Sequence, residues 1–361
     1  MLTIKSHSHD YSVETFSSLA KVFEGLADKG GLLFLVDHEI DRIYQKEINA
    51  AAPEKSKIVI EATEVQKSYE RLAPIFLEVL SKGLKKDGVL IVVGGGVVQD
   101  IGCFIASVLF RGVRWEYVPT TLLAQSDSCI GSKSSINIGD YKNQIGTFYP
   151  PHRVMVASEV LSSLPWDEIR SGLGEVIKLQ LISGQAGFDE LMADLKDLNP
   201  DGGIEMIPKW VKRSIAVKKP YIEKDEFDRG IRNILNYGHT FGHAYESATK
   251  YAIPHGIAVL LGILTATYLS ARVGLVDESH FLGLKLRLTP WFHPYETTLL
   301  KVRRDDIFKA IRRDKKNTGD SVNCILTSGP GRMAKIKVDF YKELVPAVEI
   351  FMDKKLQVAH I

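Results

Sequence analysis

Val89-Leu90-Ile91-Val92-Val93-Gly94-Gly95-Gly96-Val97-Val98-Gln99-Asp100 is the stretch on which the fold turns. Five apolar residues, mostly β-branched and without polar alternation, predict a strand buried on both faces, as in a parallel sheet. Three glycines end the run before a helical segment. A glycine turn between a strand and a helix lets backbone amides approach a phosphate, with the helix N-terminus adding partial positive charge. Gln99 stands where a GxGxxG fingerprint has its third glycine. Two readings therefore stay open: a phosphate or dinucleotide cradle, and a tight turn that only needs positive φ.

Outward from this stretch, Leu32–Val36, Ile58–Glu61, Glu116–Val118 and Val154–Ala157 are further short strand-like runs. Val13–Leu26 and Val65–Ser81 carry apolar residues at three- and four-residue spacing and read as helices. The alternation predicts a mostly parallel sheet covered on both faces, a Rossmann-like α/β domain. After Pro150-Pro151 the segments lengthen: Trp166–Leu181, Ile204–Tyr221, Ile231–Lys250, Ile257–Val273 and Asp305–Arg313 all read as helices. A short strand pair is expected near Val322–Leu326 and Ala334–Val338. The expected architecture is an α/β domain over residues 1–155 followed by an α-helical domain over 156–361. Between Ala124 and Phe148 runs a long polar segment with no helical period, expected as a functional loop.

The chain has 361 residues, enough for two to three domains at roughly 150 each. Its 46 Lys+Arg against 44 Asp+Glu leave a net charge of +2, which argues against a nucleic-acid binder working through bulk charge. Cys103, Cys129 and Cys324 have no CxxC spacing, so neither a disulfide scaffold nor a cysteine zinc site is expected, and a reducing, cytoplasmic setting is. Met1–Asp10 is polar and carries no apolar signal core. The most lipophilic stretch, Ile257–Ala271, is short for a membrane span and contains Gly262, Thr265 and Thr267; it reads as a buried helix.

In Ile231–His243 the residues Arg232, Asn236, His239 and His243 recur at offsets of 4, 7 and 11. On one continuous helix these would share a stripe roughly 60° wide. A solvated helix face usually carries Glu, Lys and Gln, so this composition points to a ligand or a metal. Gly238 and Gly242 beside the stripe weaken a helix by about 1 kcal/mol each, which makes sense if something approaches the backbone closely. His255 opens the apolar helix, and Glu175 sits on an otherwise apolar stretch with Lys178 one turn away. Two histidines and a carboxylate that leave positions open suit a catalytic divalent metal such as zinc. The segment's Asp127, Lys133, Lys142 and Asn143 are able to grip an anionic substrate, and equally to be solvated loop polar groups.

Taken together, Glu64-Val65-Gln66-Lys67, Gly94–Asp100, Arg111-Gly112, Val118–Ser128, Lys142–Phe148, Ser171–Lys178, Asn236–Ala244, His255-Gly256 and Asp314-Lys315-Lys316 resemble the dehydroquinate synthase family and its sugar-phosphate cyclase relatives, in order along nearly the whole chain. The resemblance implies Glu175, His239 and His255 as ligands of zinc or cobalt, with His243 on the substrate phosphate. It implies an NAD site at Asp37, Glu64, Lys67, Gly94, Gly95, Gly96, Asp100, Thr120, Thr121 and Lys142. It implies a substrate shell of Asp127, Lys133, Lys142, Asn143, Lys178, Lys218, Arg232, Asn236 and Lys316; Asp127, Lys133, Lys178, Glu175 and His243 carry the catalytic roles. Arg111 resembles an arginine that reaches the phosphate of a neighbouring subunit, which implies a homodimer.

The implied substrate is a sugar phosphate, 3-deoxy-arabino-heptulosonate 7-phosphate. The implied chemistry is transient oxidation of a ring hydroxyl by NAD, loss of phosphate, return of the hydride and intramolecular aldol closure. Cations at Lys218 and Arg232 suit a carboxylate-bearing substrate; relatives acting on sedoheptulose 7-phosphate, glucose 6-phosphate or an amino analogue, and metal-dependent polyol dehydrogenases, are the rival readings. Three departures stand out: Ile257 where members usually carry Glu, Gly131-Ser132-Lys133 for Gly-Gly-Lys, and Thr63-Glu64 for Gly-Glu.

Overall fold

The computed structural model describes residues 1–26, 30–139, 141–313 and 320–355. They form two compact units, Met1–Pro165 with Lys219–Phe227, and Trp166–Lys218 with Asp228–Ile361.

In the first unit the strands are β1 (Leu2–Ile4), β2 (Tyr11–Phe16), β3 (Leu32–Asp37), β4 (Lys57–Ile60), β5 (Val89–Gly94), β6 (Arg114–Pro119), β7 (Ile136–Ile138), β8 (Tyr141–Ile145) and β9 (Arg153–Ala157). Seven form one sheet in the order β1-β2-β9-β6-β5-β3-β4, parallel except for the edge strand β1. The helices are α1 (Leu19–Glu24), α2 (His38–Ile43), α3 (Gln45–Ala51), α4 (Tyr69–Ser81) and α5 (Gly96–Val108). On one face Phe34, Val36, Ile91 and Val93 pack against Leu19, Val22, Phe23 and Ile48. β5 is buried on both faces, which explains its unbroken apolar run. Strand order reverses between β3 and β5, so Asp37 and Gly94 end the two strands that flank the crevice where open α/β sheets bind ligands.

Two expected helices are corrected. Val13–Phe16 belongs to β2, where Tyr11 and Val13 alternate inward at period two; a helix forms only over Leu19–Glu24, its N-cap Ser18 accepting from Lys21 N at 3.4 Å. Glu64–Lys67 is a turn, Ser68 bridges Asn137, and α4 starts at Tyr69. The segment Ala124–Phe148 is also more ordered than a loop: Ala124–Ser128 is one helical turn of the wide type, and β7 pairs antiparallel with β8.

The second unit contains α6 (Trp166–Ser183), α7 (Gln185–Asp194), the first residues of α8 (Ile207–Lys224), α9 (His239–Ala248), α10 (His255–Arg272) and a helix at Glu278–Phe292 that the periodicity missed. The expected strand pair is present, as Ser321–Thr327 antiparallel to Met333–Asp339. Among the described residues α10 is the one helix long and apolar enough to cross a membrane, and 83% of it is buried, as in a core helix. Tyr245 on α9 and Tyr237 just ahead of it are held to α10 through buried hydroxyl pairs with Thr265 (3.0 Å) and Thr267 (2.6 Å).

The expected continuous helix Ile231–Lys250 is broken. Ile231–Asn236 is a 3₁₀ segment, Tyr237 is extended, and Gly238 is left-handed at φ +84° before α9 begins. What approaches Gly238 is α10 and not a ligand: a Cβ there would stand 2.8 Å from Val259 O. Gly242 likewise faces the α10 backbone, at Ala258. Close backbone approach also joins α6 to α10, where a Cβ on Gly174 would lie 2.2 Å from Gly256 O. Replacing Gly174 by alanine is expected to force the two helices apart, lowering stability by about 1–3 kcal/mol and weakening cobalt binding. Thermal unfolding and a cobalt titration of the variant check this.

Candidate active site

Those backbone contacts set the side chains beside them. Glu175 follows Gly174 on α6, His239 follows Gly238 at the start of α9, and His255 precedes Gly256 at the start of α10. Glu175 Oε1 lies 3.1 Å from His255 Nε2 and 3.6 Å from His239 Nε2. One donor atom from each of the three residues falls within 4.8 Å of the others. Glu175 is 1% exposed and Lys178 2%, and Lys178 Nζ pairs with Glu175 Oε2. A carboxylate oxygen and two imidazole nitrogens gathered in this way fit zinc or cobalt.

His255 is gripped from both sides, because its Nδ1 hydrogen-bonds Glu246 Oε1 at 3.2 Å. Burial works against a charged ring, but hydrogen bonds with Glu175 and Glu246 and their negative charges outweigh it and push the imidazole up to about 10. The position is therefore a strong site for positive charge, whether a proton or a metal cation. Glu246 was missed in the sequence. Its signal was the helical period itself, since 239, 243 and 246 fall on one face of α9. The exposed His243 packs edge-on to His239 at 5.3 Å between ring centroids. Arg232 and Asn236 lie on the 3₁₀ segment, off the regular helix that would have aligned them with the histidines; Arg232 is buried, as is Lys218 on α8. Ile257 is fully buried, so the family's usual acid is replaced at a core position. Lys316 lies outside the described residues.

In the first unit a polar network joins the expected cofactor residues. Lys67 Nζ reaches Asn143 Oδ1 (3.0 Å), Asp100 Oδ2 (3.1 Å) and Glu64 Oε1 (3.4 Å), and Lys142 Nζ lies 3.9 Å from Glu64. Ser135 donates to Asp100 from both its backbone and its hydroxyl, and Asn137 donates to Glu64 at 2.8 Å. Burial pulls the Lys67 ammonium down, but Asp100 and Glu64 more than reverse this. Burial also raises the Asp37 carboxyl, which caps α2 by accepting from Glu39 N at 3.0 Å. Gly95 is the N-cap of α5 and Gly96 faces open space. Beside them Thr120 N donates to Gly94 O, while the buried Thr120 Oγ1 has no hydrogen-bond partner among the described residues. An open helix N-terminus at the strand reversal, with an orphaned hydroxyl beside it, fits a nucleotide phosphate. Thr121 instead caps the following turn, accepting from Ala124 N at 3.2 Å.

Asp127 sits in the turn Ala124–Ser128, and the exposed Lys133 lies over the Phe148 ring at 5.9 Å. Arg111 is exposed on the surface. Phe110 and Arg111 are both left-handed, at φ 50° and 61°, a strain of about 1–3 kcal/mol per residue. Lys86 holds the turn by donating to Phe110 O (2.8 Å) and Gly112 O (2.5 Å).

Residues 57–171 match the 3-dehydroquinate synthase N-terminal family and residues 172–317 the 3-dehydroquinate synthase C-terminal family. A 3-dehydroquinate synthase of Dictyoglomus thermophilum is 34% identical over 341 residues, 92% of this chain and 93% of that one. The chain belongs to the 3-dehydroquinate synthase family. It is accordingly an enzyme of the sugar-phosphate cyclase kind. A second relative, the 3-dehydroquinate synthase of Acidithiobacillus ferrooxidans, is 36% identical over 338 residues, covering 91% of this chain and 92% of its own. Among solved structures, 2-deoxy-scyllo-inosose synthase complexed with carbaglucose-6-phosphate, NAD⁺ and Co²⁺ superposes with a TM-score of 0.82 at 22% identity, covering 97% of this chain and 98% of that one. The 2-epi-5-epi-valiolone synthase of Streptomyces hygroscopicus, with NAD⁺ and Zn²⁺ bound, gives 0.80 at 21%, covering 98% and 99%. At such identities these two establish a shared fold.

Proposed function

We propose that this enzyme converts 3-deoxy-arabino-heptulosonate 7-phosphate to 3-dehydroquinate and inorganic phosphate, with NAD and a divalent cation, zinc or cobalt, as cofactors. The reading is carried by the convergence of Glu175, His239 and His255 in a member of this family. The cations Lys218 and Arg232 support a carboxylate-bearing substrate over a neutral sugar phosphate.

Glu175, His239 and His255 would hold the cation, and the Gly94–Gly96 turn with Asp37, Glu64, Lys67, Asp100, Thr120, Thr121 and Lys142 would hold NAD. When bound, these groups supply the reversible oxidation of a ring hydroxyl and its polarisation. Lys218 and Arg232 neutralise the substrate carboxylate, with Asn236 hydrogen-bonding beside them. His243 contacts the phosphate that leaves when its C–O bond breaks. Asp127, Lys133, Asn143, Lys178 and Lys316 complete the shell and hold one conformer, which makes the final ring closure effectively unimolecular. Arg111, presented on its strained turn, reaches the phosphate bound by a second copy, so the working form is a homodimer.

The test supplies purified protein with cobalt, NAD⁺ and the heptulosonate phosphate, and follows phosphate release together with absorbance from NADH. One phosphate per substrate with no lasting NADH is expected. Turnover only with sedoheptulose 7-phosphate, glucose 6-phosphate or an amino analogue would replace the substrate, and lasting NADH without phosphate would mark a polyol dehydrogenase.

A further inference from the structure

We propose that Glu246 is a positioning residue for the cation site, holding His255 by Nδ1 so that Nε2 presents its lone pair to the cation. This rests on the reading of Glu175, His239 and His255 as ligands. The two nitrogens of His255 face opposite carboxylates, Nε2 towards Glu175 Oε1 at 3.1 Å and Nδ1 towards Glu246 Oε1 at 3.2 Å. A neutral imidazole has one N–H and one lone pair, and an ionised carboxylate only accepts. A cation held by Glu175 would take the Nε2 lone pair, so the ring's one proton would sit on Nδ1, where Glu246 accepts it. Partners of this kind fix the tautomer and ring orientation of a ligand and raise its basicity.

The placement is economical in backbone terms. Glu246 lies seven residues after His239 on α9, so one helix sets both a ligand and the carboxylate that aims another. The Glu246 side chain is 15% exposed, so water dilutes the contact little. A second grouping, His243, Glu246 and His255, also brings donor atoms within 4.8 Å, and there Glu246 would itself be a ligand through the other face of His255. The first grouping is favoured because it centres on the buried Glu175, while the second draws on the exposed His243.

The experiment compares full-length native protein, Glu246→Gln and Glu246→Ala for cobalt affinity by chelator competition, and for the visible spectrum of bound cobalt. Thermal unfolding without added metal serves as the structural control. Glu246→Ala is expected to bind cobalt about 10- to 100-fold more weakly. Glu246→Gln, whose amide oxygen still accepts from Nδ1–H, is expected to recover part of that loss, with a native-like spectrum in both and a metal-free fold that stays cooperative at a somewhat lower midpoint. Equal affinity in native protein and Glu246→Ala would overturn the inference and leave the ligand assignment standing. A spectrum showing one ligand lost in both variants would make Glu246 a ligand and overturn it too. Native protein that binds no cobalt would overturn the ligand assignment and this inference together.

Discussion

His255→Ala is expected to strip the protein of its divalent cation and lower kcat/KM by at least about three orders of magnitude while the fold survives. The ring is one of three donors gathered within 4.8 Å, and its Nε2 lies 3.1 Å from Glu175 Oε1. Polarisation by a bound cation is worth several kcal/mol in the transition state, and each 1.36 kcal/mol is about tenfold in rate. The fold should persist because the His255 side chain is 31% exposed, so its removal leaves no sealed void in the core. Metal content after dialysis, kcat/KM and circular dichroism read the three parts separately. A variant retaining both its metal and its activity would refute the assignment of His255.

Lys178→Met is expected to make folding strongly dependent on the cation. Glu175 and Lys178 are a buried pair one helical turn apart. Removing the ammonium leaves a buried carboxylate under-compensated, a loss of about 3–5 kcal/mol. A cation bound to that carboxylate replaces the missing charge. At a hundredfold excess over its Kd it also stabilises the native state by about 2.7 kcal/mol. Urea unfolding of the variant should thus show a low midpoint with chelator and a clear recovery with cobalt. Equal midpoints with and without cobalt would show that Glu175 does not take up the cation.

Much of this arrangement was legible in the residues alone. The Val89–Gly96 stretch became β5, its glycine turn and the start of α5, because an unbroken apolar strand and a glycine-opened helix have few other uses. Glu175, His239, His243 and His255 stood out by chemical type; the resemblance chose Glu175, His239 and His255 as the ligands, and the structure brings one donor atom of each together. The α9 stripe was half right. His239 and His243 do share a face, but Gly238 breaks the helix before Arg232 and Asn236 can join it. A periodicity count cannot distinguish a glycine that weakens a helix from one that ends it and lets another helix pass. Val13–Phe16 was misread for a related reason: two short elements in succession imitate one longer period. Glu246 and Lys86 escaped because each acts through a neighbour, His255 in one case and the backbone of the Arg111 turn in the other. No spacing rule marks such residues before the chain is folded.

The most direct measurement is anomalous diffraction at the cobalt edge from crystals of the cobalt-loaded protein. The expected map places one ion against a carboxylate oxygen of Glu175 and ring nitrogens of His239 and His255. An ion held instead by His243 and Glu246, or cobalt bound away from all three residues, would contradict the account.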